Sequence, residues 1–268
     1  MFDSKCPDGE SVVPDAVFPP YPPFAAAFAV YPPVANTIEY EAIPKLLFVD
    51  MQQEDKDKVA AAVTNLASLL DTSNNVNWKV NADQARSLGA IAIILLLMRK
   101  WPSSRSIHSS GCCVLTWLVH SNDATTTASG AAAAVSIIKS GGIETIVAAM
   151  KSFPDDLNIH AKGLNTIGYL FYYTNPAIDK AMAHFVHKLN GIELVVPVMK
   201  KFQNNALVQN YGCCILLHLS RKQVLRDALK KGGALCAVGK AIEKHNHKCH
   251  CNLQSTATAF FNNILAKS

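Results

Sequence analysis

The chain has 268 residues, of which 50% are hydrophobic and 17% are charged, and its formal net charge is +5. This low fraction of charged residues is consistent with a stack of helices in which each helix is covered by its neighbours. The positive charge is small and spread along the chain, whereas nucleic-acid-binding domains usually carry a dense cluster of Lys and Arg. The charge distribution therefore gives no indication of a nucleic-acid partner.

Residues 1–36 are a segment rich in proline and aromatic residues. Phe18–Pro23 and Tyr31–Pro33 cannot continue a helix and favour extended polyproline II geometry. The composition predicts a disordered or loosely packed segment. Two alternatives are a ligand for proline-binding modules and an arm that folds back onto the rest of the chain. Met1–Glu10 lacks the basic region and apolar core of a secretory signal.

From residue 37 to residue 268 the sequence predicts α-helices only. Apolar residues recur at helical spacing, and glycine, serine and Asn-Pro interrupt them. Asn175 places a capping side chain before Pro176, which suits the first position of a helix. Ser220 is expected to precede a helix over Arg221–Lys231 that a glycine pair ends.

Four segments of this region repeat one pattern. They begin at Gly89-Ala90, Gly141-Gly142, Asn190-Gly191 and Gly232-Gly233. Eight residues after the second member stand Met98, Met150, Met199 and, in the last copy, Ala241. Twenty-one residues after it the first three copies have Gly111, Gly163 and Gly212. The copies start 52, 49 and 42 residues apart, which approaches the ~40–47 residues of armadillo and HEAT units. A weaker fifth copy begins near Ala42.

Each copy is predicted to hold a short helix, a glycine turn, a second helix, a tight loop and a longer third helix. The glycine pair permits a sharp turn because glycine adopts positive φ without strain. Acids at Asp155 and Asp156 suit the start of the third helix. Gly163 lies within that helix, where glycine costs about 1 kcal/mol against alanine. Its recurrence predicts that a neighbouring helix packs closely against it.

The segment Gly141–Lys151 followed by Gly163–Leu170 resembles an armadillo repeat. The resemblance covers residues 40–268 and is clearest over 89–264. It implies an all-α, right-handed superhelix of about four to five repeats, whose third helices line a concave groove that binds peptides or other proteins. HEAT repeats are related and hard to separate by sequence, but the glycine pair and the three-helix length favour armadillo.

The resemblance also implies which residues line the groove. Nuclear-import adaptors of the family read peptides with a Trp and, four residues later, an Asn on each third helix. The Asn-equivalent positions here are Trp117, Tyr169, His218 and Asn263, and the Trp-equivalent positions are Cys113, Asn165, Cys214 and Ala259. Only Asn263 matches, which argues against a reader of basic signals. The predicted groove residues are Trp117, Tyr169, His218, Asn263, Asn165, Lys162 and Tyr211. The alternative is that these rings pack between repeats.

One cluster has the side chains of a metal site. His245, His247, Cys249 and Cys251 crowd into one loop, whereas structural zinc sites pair two such ligands with a second, distant pair. A solvated loop is therefore favoured over a metal site. The phosphate-binding, dinucleotide-binding, zinc-protease and nucleophile-elbow motifs are all missing from the sequence. No catalytic residue and no cofactor are predicted.

These observations predict a non-catalytic scaffold that binds a protein or peptide of unknown identity. The alternative is an α-solenoid that binds RNA, but the aligned third-helix positions differ from copy to copy, which argues against a base-reading code. Eight cysteines are too few for a disulfide framework. The longest apolar run, Ala90–Met98, falls short of the ~20 residues of a membrane span. We expect an intracellular, cytoplasmic protein without a membrane partner, and a nuclear location stays open.

Overall fold

The computed structural model describes residues 42–71, 75, 77–120, 124–245 and 253–266. Within these residues all regular structure is helical, which confirms the predicted all-α class. The α-helices are α1 (Ala42–Phe48), α2 (Lys56–Leu70), α3 (Trp78–Ser87), α4 (Ala90–Lys100), α5 (Arg105–Val119), α6 (Ala124–Lys139), α7 (Gly142–Ser152), α8 (Leu157–Leu170), α9 (Pro176–His187), α10 (Gly191–Lys201), α11 (Ala206–Ser220), α12 (Arg226–Lys231), α13 (Ala234–His245) and α14 (Leu253–Leu265). The predicted Pro-rich segment 1–36 lies outside the described residues.

The helices pack in sequence order, as in a solenoid. Helices α3–α5, α6–α8, α9–α11 and α12–α14 form four three-helix units, and α1 and α2 precede them. The third helices form a continuous row in which α2 packs on α5, α5 on α8, α8 on α11, and α11 on α14. Each unit therefore buries its apolar surface mainly against its sequence neighbours.

The turn before each second helix depends on a left-handed residue. Gly89, Gly141 and Gly233 have φ of 80°, 72° and 77°, and the equivalent Asn190 has φ of 54°. Asparagine tolerates this conformation better than other residues with a side chain. In the last copy the left-handed residue is the second glycine of the pair. The predicted alignment of that copy is therefore wrong by one residue at this turn.

The recurring glycine of each third helix lies against the recurring methionine of the second helix. A Cβ built on Gly111 would lie 2.9 Å from Met98 Sδ, and one on Gly163 would lie 2.9 Å from Met150 Sδ. The third pair, Gly212 and Met199, is the tightest. The predicted close approach is confirmed, and its partner is the methionine at the eighth position of the repeat.

Two of the predicted helix starts are confirmed and one is wrong. Asn175 Oδ1 accepts a hydrogen bond from the Ala177 amide at 2.8 Å, and Asp156 Oδ1 accepts two at the start of α8. Ser220, however, is the last residue of α11, and its hydroxyl donates to the Leu217 carbonyl at 2.7 Å. A serine hydroxyl can bond back into its own helix as readily as it caps the next one. Helix α12 begins at Arg226 instead.

The described helices are short. The longest, α6, has 16 residues. None of them by itself is long and apolar enough to cross a membrane. Two pairs reach that length and composition together, α3 with α4 and residues 127–139 with α7, and these pairs are bent by 75° and 67°.

Candidate partner-binding face

The candidate site is the side of the third helices that faces away from the second helices. Successive residues of an α-helix are about 100° apart. Asn165 and Tyr169 therefore lie about 200° and 240° around α8 from Gly163, the residue that contacts α7. We call the predicted groove residues the third-helix face: Trp117, Tyr169, His218, Asn263, Asn165, Lys162 and Tyr211.

Ring contacts through His120 connect Trp117 and Tyr169, the aromatic members of the third-helix face in the first two complete units. The Tyr169 hydroxyl and His120 Nδ1 are 3.0 Å apart. The His120 ring lies edge-on to Trp117 and Tyr169, with centroids 5.4 and 5.5 Å away, and 5.4 Å from Trp78. Burial raises the pKa of Tyr169 well above 10, and the neighbouring Tyr211 adds to this rise. The phenol therefore stays neutral and available for hydrogen bonding at neutral pH.

Polar side chains join α5 to α8 beside the rings. Lys162 Nζ donates to Ser109 Oγ at 2.8 Å. The hydroxyls of Thr116 and Thr166 are 2.9 Å apart, and Thr166 Oγ1 also donates to the Cys112 carbonyl at 3.1 Å. Lys162 is half-buried. It therefore combines an inter-repeat hydrogen bond with partial access to solvent.

The C-terminal part of the face consists of Tyr211, His218 and Asn263. Tyr211 and His218 are 1% and 3% exposed, and the Tyr172 ring lies edge-on to His218 with centroids 6.2 Å apart. Burial lowers the pKa of His218 well below 6.5, and the nearby Arg221 lowers it further. Asn263 Nδ2 donates to Ser220 Oγ at 3.0 Å, which ties α14 to α11.

The Asn165 side chain is buried in the third-helix face with a polar atom that lacks a described partner. Asn165 is 2% exposed, and its Oδ1 accepts no hydrogen bond from the described part of the chain. A buried amide oxygen left without a donor costs about 1–3 kcal/mol. A donor that reached this oxygen would therefore be stabilising.

The structure buries most of the predicted residues. Trp117, Tyr169, Tyr211, His218 and Asn165 are at most 3% exposed, and Lys162 and Asn263 are half-buried. The burial of Trp117 and Tyr169 fits the alternative prediction, packing between repeats, and Tyr169 contacts His120 of the preceding unit. Partner binding by the face stays a prediction. Sequence reasoning missed His120, since a residue that directly follows a helix carries no periodic signal.

The predicted metal-type loop is described only at its first residue. His245 is 3% exposed, and its Nε2 lies 2.8 Å from the Gln203 carbonyl, so its ring joins α13 to the loop after α10. His247, Cys249 and Cys251 lie outside the described residues. Within the described ranges no group of three or more His, Cys, Asp or Glu side chains could hold a metal ion.

Comparisons with known proteins bear on the fold. Neither a protein-family model nor a curated protein matches the chain. Among solved structures, the crystal structure of an engineered protein from the Northeast Structural Genomics Consortium is similar, with a TM-score of 0.51 and 14% sequence identity. The match covers 83% of this chain and 96% of that chain. At this identity the likeness shows the helical architecture alone.

Proposed function

We propose that the protein is a non-catalytic scaffold, an armadillo-type right-handed array that binds a peptide or a protein segment along its third-helix face. The observation that carries the proposal is the Asn165 amide. Its Oδ1 is buried and accepts no hydrogen bond from the residues that the structure describes, and Asn165 lies on the side of α8 away from α7. Because this oxygen is buried, a backbone N–H of a partner segment would supply the donor once the covering side chains move aside.

The surroundings of Asn165 support an extended partner. Lys162, one turn before it on α8, is half-buried, and so is Tyr172, which follows the end of α8. Tyrosine combines a large apolar contact area with a polar tip, and it is enriched among residues that dominate binding energies. Because Asn165 and Lys162 lie on a preformed helix, α8, association costs little ordering entropy for that part of the scaffold.

The test separates binding from stability by replacing Asn165 with leucine. Leucine has a similar size and removes the unpaired oxygen, so Asn165→Leu is expected to leave the free energy of unfolding unchanged or higher. Peptides selected on the wild-type protein from a displayed random library should bind the variant at least about tenfold more weakly, since one hydrogen bond to a buried amide is lost. The matched control is Lys151→Ala, on the exposed surface of α7.

Equal affinity of the selected peptides for wild type and Asn165→Leu would refute the assignment of the site. Truncating the rings is a poorer test. Trp117 and Tyr169 are 2% and 3% exposed, and alanine at such positions costs about 3–5 kcal/mol of stability. Tyr169→Phe is the better probe of this pair, because it removes only the hydroxyl that contacts His120.

A further inference from the structure

A second concave surface lies between the second helices of the last two units. We call it the α10–α13 groove, and it encloses about 740 Å³, within the range of ligand-binding clefts. Val196 and Met199 of α10 and Ala237 of α13 supply apolar lining. Gln209 of α11 also lines it, and its amide donates to the Met199 carbonyl at 2.8 Å and to the Phe202 carbonyl at 3.2 Å. These bonds hold the Gln209 side chain in place.

The groove carries an excess of positive charge. Lys200, Lys240 and Lys244 line it and are exposed, and Glu243 is the one acidic residue among its lining. Within the described ranges none of these three lysines forms an ion pair. Three ammonium groups beside an apolar surface attract carboxylates and raise the rate of encounter with an acidic partner.

The junctions between earlier units use their basic side chains differently. Arg99 of α4 donates to Thr145 Oγ1 of α7 at 3.0 Å and to the Gly141 carbonyl at 3.1 Å. Lys201 of α10 reaches back to Asp155 and to the Pro154 carbonyl. The basic residues there bridge neighbouring units, whereas the three lysines of the α10–α13 groove contact no acid among the residues that the structure describes. The groove lysines are therefore available to a partner.

We propose that the α10–α13 groove binds an acidic amphipathic helix of a partner protein. The apolar side chains of such a helix would cover Val196, Met199 and Ala237, and its carboxylates would meet the lysines, whose stems extend the apolar surface. Nucleic acid fits less well, because the described lining of the groove holds no arginine and no aromatic side chain that could stack on bases. The groove shares no residue with the third-helix face, so this site is independent of the proposed function above.

The probe is a fluorescein-labelled synthetic peptide of about 15 residues, with leucine at helical spacing, glutamate on the opposite face and alanine elsewhere. Binding is measured by fluorescence anisotropy with the full-length protein. Comparison probes are the same peptide with lysine in place of glutamate, and a single-stranded RNA oligonucleotide. A version of the acidic peptide with a terminal chloroacetamide reports position, because the exposed Cys236 lines the groove.

We expect saturable binding of the acidic peptide and alkylation of Cys236 by its reactive version. Lys200→Glu with Lys240→Glu should weaken binding by about tenfold or more, since two attractive pairs become repulsive. The matched control, Lys151→Glu with Lys188→Glu, reverses two exposed lysines outside the groove and should change affinity less than about twofold.

Three results would overturn the proposal: no saturable binding of the acidic peptide, equal effects of the two charge-reversed variants, or tighter binding of the RNA or of the basic peptide. None of these results affects the comparison of wild type with Asn165→Leu. A failure of the proposed binding in the α10–α13 groove can therefore be told apart from a failure of the proposed binding along the third-helix face.

Discussion

Replacing Gly212 with alanine is expected to destabilise the protein, although alanine is the better helix former. Gly212 lies within α11, and a Cβ at this position would be 2.5 Å from Met199 Sδ, 2.6 Å from its Cγ and 3.3 Å from its Cε. In a helix interior, alanine is favoured over glycine by about 1 kcal/mol. Overpacking a core costs about 1–3 kcal/mol. Two contacts below 3.0 Å force Met199 out of its rotamer, so we expect the overpacking cost to exceed the helix-propensity gain, with a net loss of up to about 2 kcal/mol.

Gly239 provides the matched control. It lies within α13, and nothing stands within 4 Å of a Cβ built there. Gly239→Ala should therefore show only the helix-propensity gain and stabilise the protein by up to about 1 kcal/mol.

A double variant tests whether the clash with Met199 causes the destabilisation. Met199→Ala alone should cost about 2–5 kcal/mol, and it should cost less in the Gly212→Ala background, where removing the methionine also removes the clash.

Urea unfolding measures these differences, with circular dichroism and tryptophan fluorescence recorded in parallel. Coincident transitions justify a two-state free energy from linear extrapolation. Stabilisation by Gly212→Ala equal to that by Gly239→Ala would refute the reasoning. It would mean that the spacing of the second and third helices does not depend on the glycine–methionine contact.

Three further predictions concern other parts of the chain. Burial lowers the pKa of three histidines, His108, His160 and His218. As the pH falls below about 6.5, these histidines therefore take up protons in the unfolded chain before they do so in the folded one. The free energy of unfolding should then decline by at most about 1.4 kcal/mol per histidine per pH unit. Unfolding curves that do not change between neutral and acidic pH would contradict this prediction. Burial raises the pKa of Cys112 to about 12. Maleimide should therefore label the exposed Cys236 and leave Cys112 unmodified until denaturant is added. Mass spectrometry of the digested protein identifies the labelled cysteines. Arg99→Ala removes the hydrogen bonds to Thr145 and the Gly141 carbonyl and should lower stability by about 1 kcal/mol, whereas Lys151→Ala should have no measurable effect on thermal unfolding.

Local rules were enough to predict the helical architecture. Helical spacing of apolar residues gives the all-α class, and Asn175 and Asp156 mark helix starts because a side-chain oxygen there satisfies free amides. The recurring glycines predicted both the left-handed turns and the close approach of a helix to Gly163. Local chemistry failed at Ser220, where a capping residue and a helix-terminating one look alike in sequence.

What lies against each helix face was decided by the tertiary structure. The family resemblance put Trp117 and Tyr169 at equivalent positions of their third helices, but only the packing of α5 on α8 brings His120 between them, 49 residues from Tyr169 along the chain. The packing of neighbouring units likewise determines the burial of the Asn165 amide oxygen and the grouping of lysines around the α10–α13 groove. A sequence repeat specifies the fold of each unit, whereas contacts between units depend on their relative rotation, which many weak packing contacts determine together.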